Sequence, residues 1–275
     1  MMKIKNILRI AAFTLRDELH SRSFYLLAAI SVLFVLMIRG CFNADMVVND
    51  QKLDSLTIGW TASMVAFHFI SAVGVLIGIL MAMRVFHRDR DNGMVVAILS
   101  KPIKRIEYLI GKIAGVWILS YALVFLLHLT VYIIMIVKTG GRINWFIPAS
   151  FLISINVLFS VISVLLFSLI MPDIIAALSA MAIAAVSYVS DSIFAASKTE
   201  AIKSLMEQIQ HQELPVALWR IIWPKIAALQ FFATSLIKDE NFYVLGPLHP
   251  AFNVLIFSVV AFFLLYWRYS KEEIK

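Results

Sequence analysis

Residues 62–83 read ASMVAFHFISAVGVLIGILMAM and are followed at once by RVFHRDRDNGM, residues 84–94. The first stretch holds no Asp, Glu, Lys or Arg and is long enough, at about 1.5 Å per residue, to cross the roughly 30 Å hydrocarbon of a bilayer. The second is dense in charge. A helix satisfies its own backbone hydrogen bonds in lipid, so the pair reads as a transmembrane helix ending at a polar interface. Composition agrees: 61% of the 275 residues are hydrophobic and 15% charged, against about 25% charged in soluble domains. The fold class is therefore all-α, a polytopic membrane protein.

Working outward, five more segments qualify as spans. They are Phe24 to about Phe42, interrupted by Arg39; Ile113 to Val137; about Phe146 to Met171; Ile174 to about Ser190; and Ala251 to Trp267. Only Met171-Pro172-Asp173 separates the fourth span from the fifth, which predicts a tight helical hairpin. Tyr266, Trp267 and Tyr269 beside Arg268 read as an interface anchor. Before the first span, Ile4, Ile7, Leu8, Ala11, Leu15 and Leu19 recur at helical spacing, with Lys3, Asn6, Arg9, Arg16, Asp17 and Glu18 on the other face. Residues 1–22 thus predict an amphipathic surface helix, not a cleaved signal peptide, within a single domain of residues 1–275.

Lys and Arg set the expected orientation. With the N-terminus in the cytoplasm, fifteen cations lie inside and four lie in the two short outer loops. This places both termini in the cytoplasm. The net charge of +7 is then a topology signal, and no nucleic-acid surface is expected. The long outer loop, residues 191–250, contains an apolar stretch, Leu214 to Ile237, that tempts a seventh span. Arg220 and Lys225 near its centre would cost about 5–7 kcal/mol at mid-bilayer. An interfacial helix, or a re-entrant helical pair broken at Pro224, is expected instead.

Several chemistries lack their residues. No Gly-x-x-x-x-Gly-Lys-Ser/Thr loop is present, so the chain does not cradle nucleotide phosphates itself, and no cofactor or enzymatic activity of its own is expected. His20, His68, His87, His128, His211 and His249 include no pair at i,i+4, and no metal site is expected. His68 and His128 read as hydrogen-bonded residues packed between helices. Lone Cys41 permits no intrachain disulfide. No Asp, Glu, Lys or Arg lies mid-span, which argues against ion-coupled transport. Core serines such as Ser71, Ser160 and Ser187, with Gly74 and Gly78, read as small residues that let helices approach.

The charged island itself is patterned: Asp89-x-x-x-Gly93, apolar Val95 to Leu99, Lys101-Pro102-x-x-Arg105, then Gly111-Lys112 opening the next span. This order resembles the loop between the second and third spans of type-2 ABC transporter permeases, closest to the branch of copper-enzyme-maturation and gliding-motility exporters. Asp89 stands where that family usually has Glu, and Met94 where it often has Thr. The resemblance covers nearly the whole chain, including a long outer segment that in the family holds short helices dipping into the outer leaflet. It implies a permease subunit that couples ATP hydrolysis, with ATP and Mg bound in a separate cytoplasmic ABC ATPase, to export or mechanotransmission. A second permease copy or related permease, membrane lipid and a periplasmic or extracellular protein are the other implied partners.

On that reading residues 84–112 form a cytoplasmic coupling loop. Asp89, Arg90, Asp91 and Arg105 would make charge-assisted contacts, while Val95, Val96 and Leu99 would anchor in lipid or a partner groove. Gly93 would permit a bend or close approach, Pro102 would break the helix, and Lys112 would open the third span. A non-transport scaffold that recruits a cytoplasmic partner through the same loop is the alternative, and it should alter no partner's ATP hydrolysis. An intramembrane enzyme would instead need His68, His128 or the core serines.

Overall fold

The computed structural model describes residues 3–41, 47–48, 51–52, 54–91, 93, 103–197, 223–242 and 248–271. Among them the helices are α1 (Ile4–Leu19), α2 (Arg22–Cys41), α3 (Ser55–Ala82), α4 (Val85–Asp91), α5 (Arg105–Thr139), α6 (Phe146–Ser168), α7 (Asp173–Ser197), α8 (Ile226–Lys238) and α9 (Pro250–Ser270). A two-residue antiparallel ladder, β1 (Val47–Val48) with β2 (Gln51–Lys52), lies between α2 and α3, with Val47 opposite Lys52. Among the described residues five helices are long and apolar enough to cross a membrane: α3 with its continuation α4, α5, α6, α7 and α9. α1 and α2 are bent by 66° and supply up to a sixth span.

The helices outrun the apolar segments that announce them. α3 begins at Ser55 rather than Ala62, and α5 at Arg105 rather than Ile113. The stretch from Arg105 to Lys112, expected as loop, is the first two turns of α5. Its polar groups are satisfied by neighbouring helices, so the helix need not stop where hydropathy falls. Between α6 and α7, Leu169 to Pro172 make the expected short turn.

α3, α5 and α6 form the centre, where Phe67, Ile70, Ile77, Val124, Ile153 and Val157 are fully buried. Gly74 and Gly78 meet different partners. A Cβ on Gly74 would lie 3.0 Å from Val124 Cγ2 of α5, and one on Gly78 would lie 2.8 Å from Ser160 Oγ of α6. The Gly-x-x-x-Gly pair thus packs α3 against two helices at once, as small residues do in membrane interiors. His128 packs as expected: its Nδ1 is 2.8 Å from Ser150 Oγ, and its ring stacks on Phe67 with centroids 4.5 Å apart. Large apolar side chains on α2, α7 and α9, among them Leu33, Ile174 and Phe263, are exposed and form a lipid-compatible surface.

α8 is wedged among α3, α6, α7 and α9. Its first carbonyl, that of Ile226, accepts from Asn156 Nδ2 at 2.9 Å. Asn156 lies ten residues into α6, about 15 Å along its axis. From Ile226 to Lys238 the tempting apolar stretch is therefore an inserted half-helix, while residues 214–222 lie outside the described residues. Lys225 is buried, inside protein rather than lipid. α9 joins the two ends of the molecule: Asn253 near its start accepts from the Lys225 backbone N–H at 2.9 Å, and Tyr269 near its end packs beside α4.

Candidate functional site

Seven residues of α4 hold the charged end together. Successive residues of a helix point about 100° apart, so neighbours in sequence address different helices. Arg88 turns towards α1, where its Nη2 lies 2.8 Å from Asp17 Oδ2 and also bonds Glu18 Oε1. Asp89 turns towards α5, where its Oδ2 lies 2.6 Å from Lys112 Nζ and accepts from the Tyr108 hydroxyl. Phe86 stacks on Tyr269 of α9, with centroids 5.8 Å apart, and Tyr108 stacks on Tyr269 at the same distance. Arg105 at the start of α5 donates to the carbonyls of Tyr269 at 3.2 Å and Ser270 at 2.6 Å. His87 lies 4.0 Å from Asp173 at the start of α7.

The Asp89–Lys112 pair is fully enclosed, with side-chain exposures of 1% and 0%. Desolvating two ions is costly, and it is offset only by short range and by further polar partners. Tyr108 supplies a hydrogen bond to Asp89, and the rings of Phe13 and Tyr108 lie 5.9 and 5.8 Å from Lys112 Nζ. Loss of one ion would strand the other in a dry site.

α1 is seated by close approach as well as charge. A Cβ at Gly111 would lie 2.7 Å from Ile10 Cβ, and one at Gly115 would lie 2.7 Å from Thr14 Cβ and 2.8 Å from the Ala11 carbonyl. Glu107 of α5 accepts from the Lys3 backbone N–H and from Asn6 Nδ2, both at 2.8 Å. A carboxylate thus sits at the start of α1, where orphan amides and the helix dipole favour it.

The two-face reading of α1 is corrected in one respect. Glu18, placed with the polar face, is 3% exposed, and Ile10, Ala11 and Thr14 are buried with it against α5, whereas Ile4 and Leu8 remain exposed. The helix has a protein-facing strip between its exposed apolar and exposed polar sides. Burial raises the Glu18 carboxyl above the usual glutamate range, and the Arg88 guanidinium pulls it partly back. Tyr269, expected as an interface anchor, is buried between Phe86 and Tyr108, while Trp267 is exposed with Lys271 Nζ 3.9 Å above its ring.

Of the residues singled out for coupling, Asp89 and Lys112 come together and turn inward, away from any direct contact with a partner protein. Arg90 and Asp91 are exposed at the end of α4. Gly93 adopts φ 62°, a left-handed conformation that glycine takes without a Cβ penalty, and its N–H bonds the Arg90 carbonyl at 3.0 Å to close the helix. Arg105 holds the end of α9. Val95, Val96, Leu99 and Pro102 lie outside the described residues. Sequence reasoning passes over Arg88, Glu18, Glu107 and Tyr108. Their only signal is polarity at helix ends that would otherwise be expected to face water.

Among the described residues no group of three or more His, Cys, Asp or Glu side chains could hold a metal ion. The polar layer contains Asp89, Arg105 and Lys112, three of the residues that carry the resemblance noted in the sequence. Residues 8–274 match the profile of the family described as ABC-2 family transporter protein. The chain belongs to that family. No curated protein matches the sequence. As an ABC-2 permease, the chain is a membrane subunit of an ABC transporter, and the match runs from within α1 to beyond the end of α9.

Proposed function

We propose that the charged end of this permease faces the cytoplasm and receives a separate ABC ATPase, whose ATP- and Mg-dependent cycle is passed through α4 to the spans. The permease then works in the bacterial inner membrane, with both termini cytoplasmic, as a pair with a second copy or a related permease. It exports an amphipathic, lipidic or peptide cargo, or transmits force to a protein on the outer face. The pattern Asp89-x-x-x-Gly93 and Lys101-Pro102-x-x-Arg105 supports placing it with the copper-enzyme-maturation and gliding-motility exporters.

One observation carries the reading: α4 exposes Arg90 and Asp91 while its preceding residues grip three helices, Arg88 on α1, Asp89 on α5 and Phe86 on α9. A force on the exposed tip of α4 has direct handles on all three. Purification of the tagged chain from its native host in mild detergent, with identification of associated proteins and an ATPase assay, tests it. An ABC ATPase copurifies and hydrolyses ATP in the complex. Absence of any ATPase from an intact preparation would leave the scaffold reading standing in its place.

A further inference from the structure

A cavity of about 310 Å³ opens at the bend between α1 and α2, under the junction of α3 with α4. Its walls carry Arg22, Arg84 and Arg88, together with Ser21 and Ser23. Two carboxylates and His87 also line it: Glu18 is bonded to Arg88, and Asp91 lies 4.0 Å from the His87 imidazole, leaving one carboxylate with no arginine or lysine partner among the described residues. Arg22 and Arg84 are different. They are exposed, and among the described residues their side chains make no hydrogen bond or ion pair. The cavity therefore offers two uncommitted guanidiniums, planar donors suited to a phosphate, beside two serines.

Its position selects the kind of phosphate. With α1 read as a surface helix and α2 as the start of a span, their 66° bend falls at headgroup depth. Leu80 and Met81 form the cavity's apolar wall. Above them the exposed face of α3 continues through Leu76 and Phe69, beside an α2 whose Tyr25, Leu26, Ile30 and Leu33 are also exposed. An anionic head in the cavity would have an apolar track for its acyl chains. Basic pockets between helices at the membrane surface bind anionic lipid heads.

We infer that this cavity is a binding site for the phosphate headgroup of one anionic phospholipid, held by Arg22 and Arg84 where the surface helix turns into the membrane. The inference rests on the protein's membrane embedding and not on its coupling to an ATPase.

Delipidated full-length protein in neutral detergent would be titrated with phosphatidylglycerol, phosphatidylcholine or inorganic phosphate, with bound adducts read by native mass spectrometry. Phosphatidylglycerol is expected to give one retained adduct, and phosphatidylcholine and inorganic phosphate none. R22Q/R84Q should weaken that adduct roughly thirtyfold, the effect of two basic groups at about fivefold each. R22K/R84K, which keeps the charge but not the planar fork, should bind more weakly than wild type and more tightly than R22Q/R84Q.

Undiminished phosphatidylglycerol binding by R22Q/R84Q would overturn the site, and equal binding of inorganic phosphate would overturn the lipid assignment. ATPase capture is scored separately on the same samples. Its loss in R22Q/R84Q with lipid binding intact would mean that the arginines face a protein.

Discussion

Arg88 and Asp89 tie α4 to two different helices through charge, whereas at the other end Ser187, Asn156 and Asn253 hold the start of α8 through backbone hydrogen bonds. Ser187 Oγ donates to the Pro224 carbonyl at 2.8 Å and accepts from the Ile226 N–H at 3.0 Å, and Asp191 Oδ2 accepts from the Ala228 N–H at 3.0 Å. Gln230 Nε2 donates to the His68 carbonyl at 2.6 Å and lies 2.9 Å from His68 Nδ1. The difference follows from what each end must satisfy. A half-helix starting inside the bundle presents orphan amides, which the side-chain oxygens of Ser187, Asn253 and Asp191 cap one by one. At the charged end the ions bear a desolvation cost and give a short helix directional grips on its neighbours.

The sharpest way to break the contrast is to strand an ion. D89N or K112M alone should cost about 3–5 kcal/mol, because one charge stays buried without its partner. Thermal unfolding in detergent should show a large drop for either single variant and substantial recovery for D89L/K112M. Equal loss in the double variant would mean that packing, and not the pair, is what Asp89 and Lys112 provide.

Next in size is G115L, whose side chain would displace Thr14 and should cost about 1–3 kcal/mol. Protease or hydrogen-exchange protection should fall along α1 and be unchanged in α6. At the α8 end, S187A leaves two backbone groups without their partner and should cost about 1–2 kcal/mol. Exchange should quicken at residues 226–228, with no effect on α1 or α4.

The smallest expected effect separates the ends by pH. The Glu18 carboxyl is raised, chiefly by burial and against the pull of Arg88. A raised folded value means that its stabilising contribution is complete below the usual glutamate range and is lost as pH climbs through the raised value. Lowering pH from about 7 to about 5 should therefore stabilise wild type slightly at this contact. E18Q should remove that part of the profile and be neutral or mildly stabilising at neutral pH, since Asp17 keeps Arg88 paired. A profile unchanged by E18Q would contradict the assignment.

Much of this architecture is legible in the runs of apolar residues, because lipid forces helices to span and each span declares its length. What the runs miss lies where protein replaces water or lipid. Arg105 to Lys112 reads as loop because it is charged, yet Asp89 and Tyr269, distant in sequence, satisfy it within a helix. Asp89 and Lys112 stand out in the pattern, but nothing in their spacing says that they meet. Glu18 falls on the polar side of α1 by periodicity and is drawn inward by Arg88, seventy residues away. The insertion of α8 depends on Asn156, Ser187 and Asn253, three residues from three other helices, which a local reading cannot assemble.

The central claim is that α4 receives the ATPase through its exposed tip and transmits through its buried pair. It is tested by measuring ATPase binding and lipid-bilayer ATP hydrolysis side by side for wild type, R90A/D91A and D89L/K112M. Weakened binding in R90A/D91A, with near-normal binding but uncoupled hydrolysis in D89L/K112M, is the predicted result. Wild-type binding and hydrolysis in both variants would contradict it.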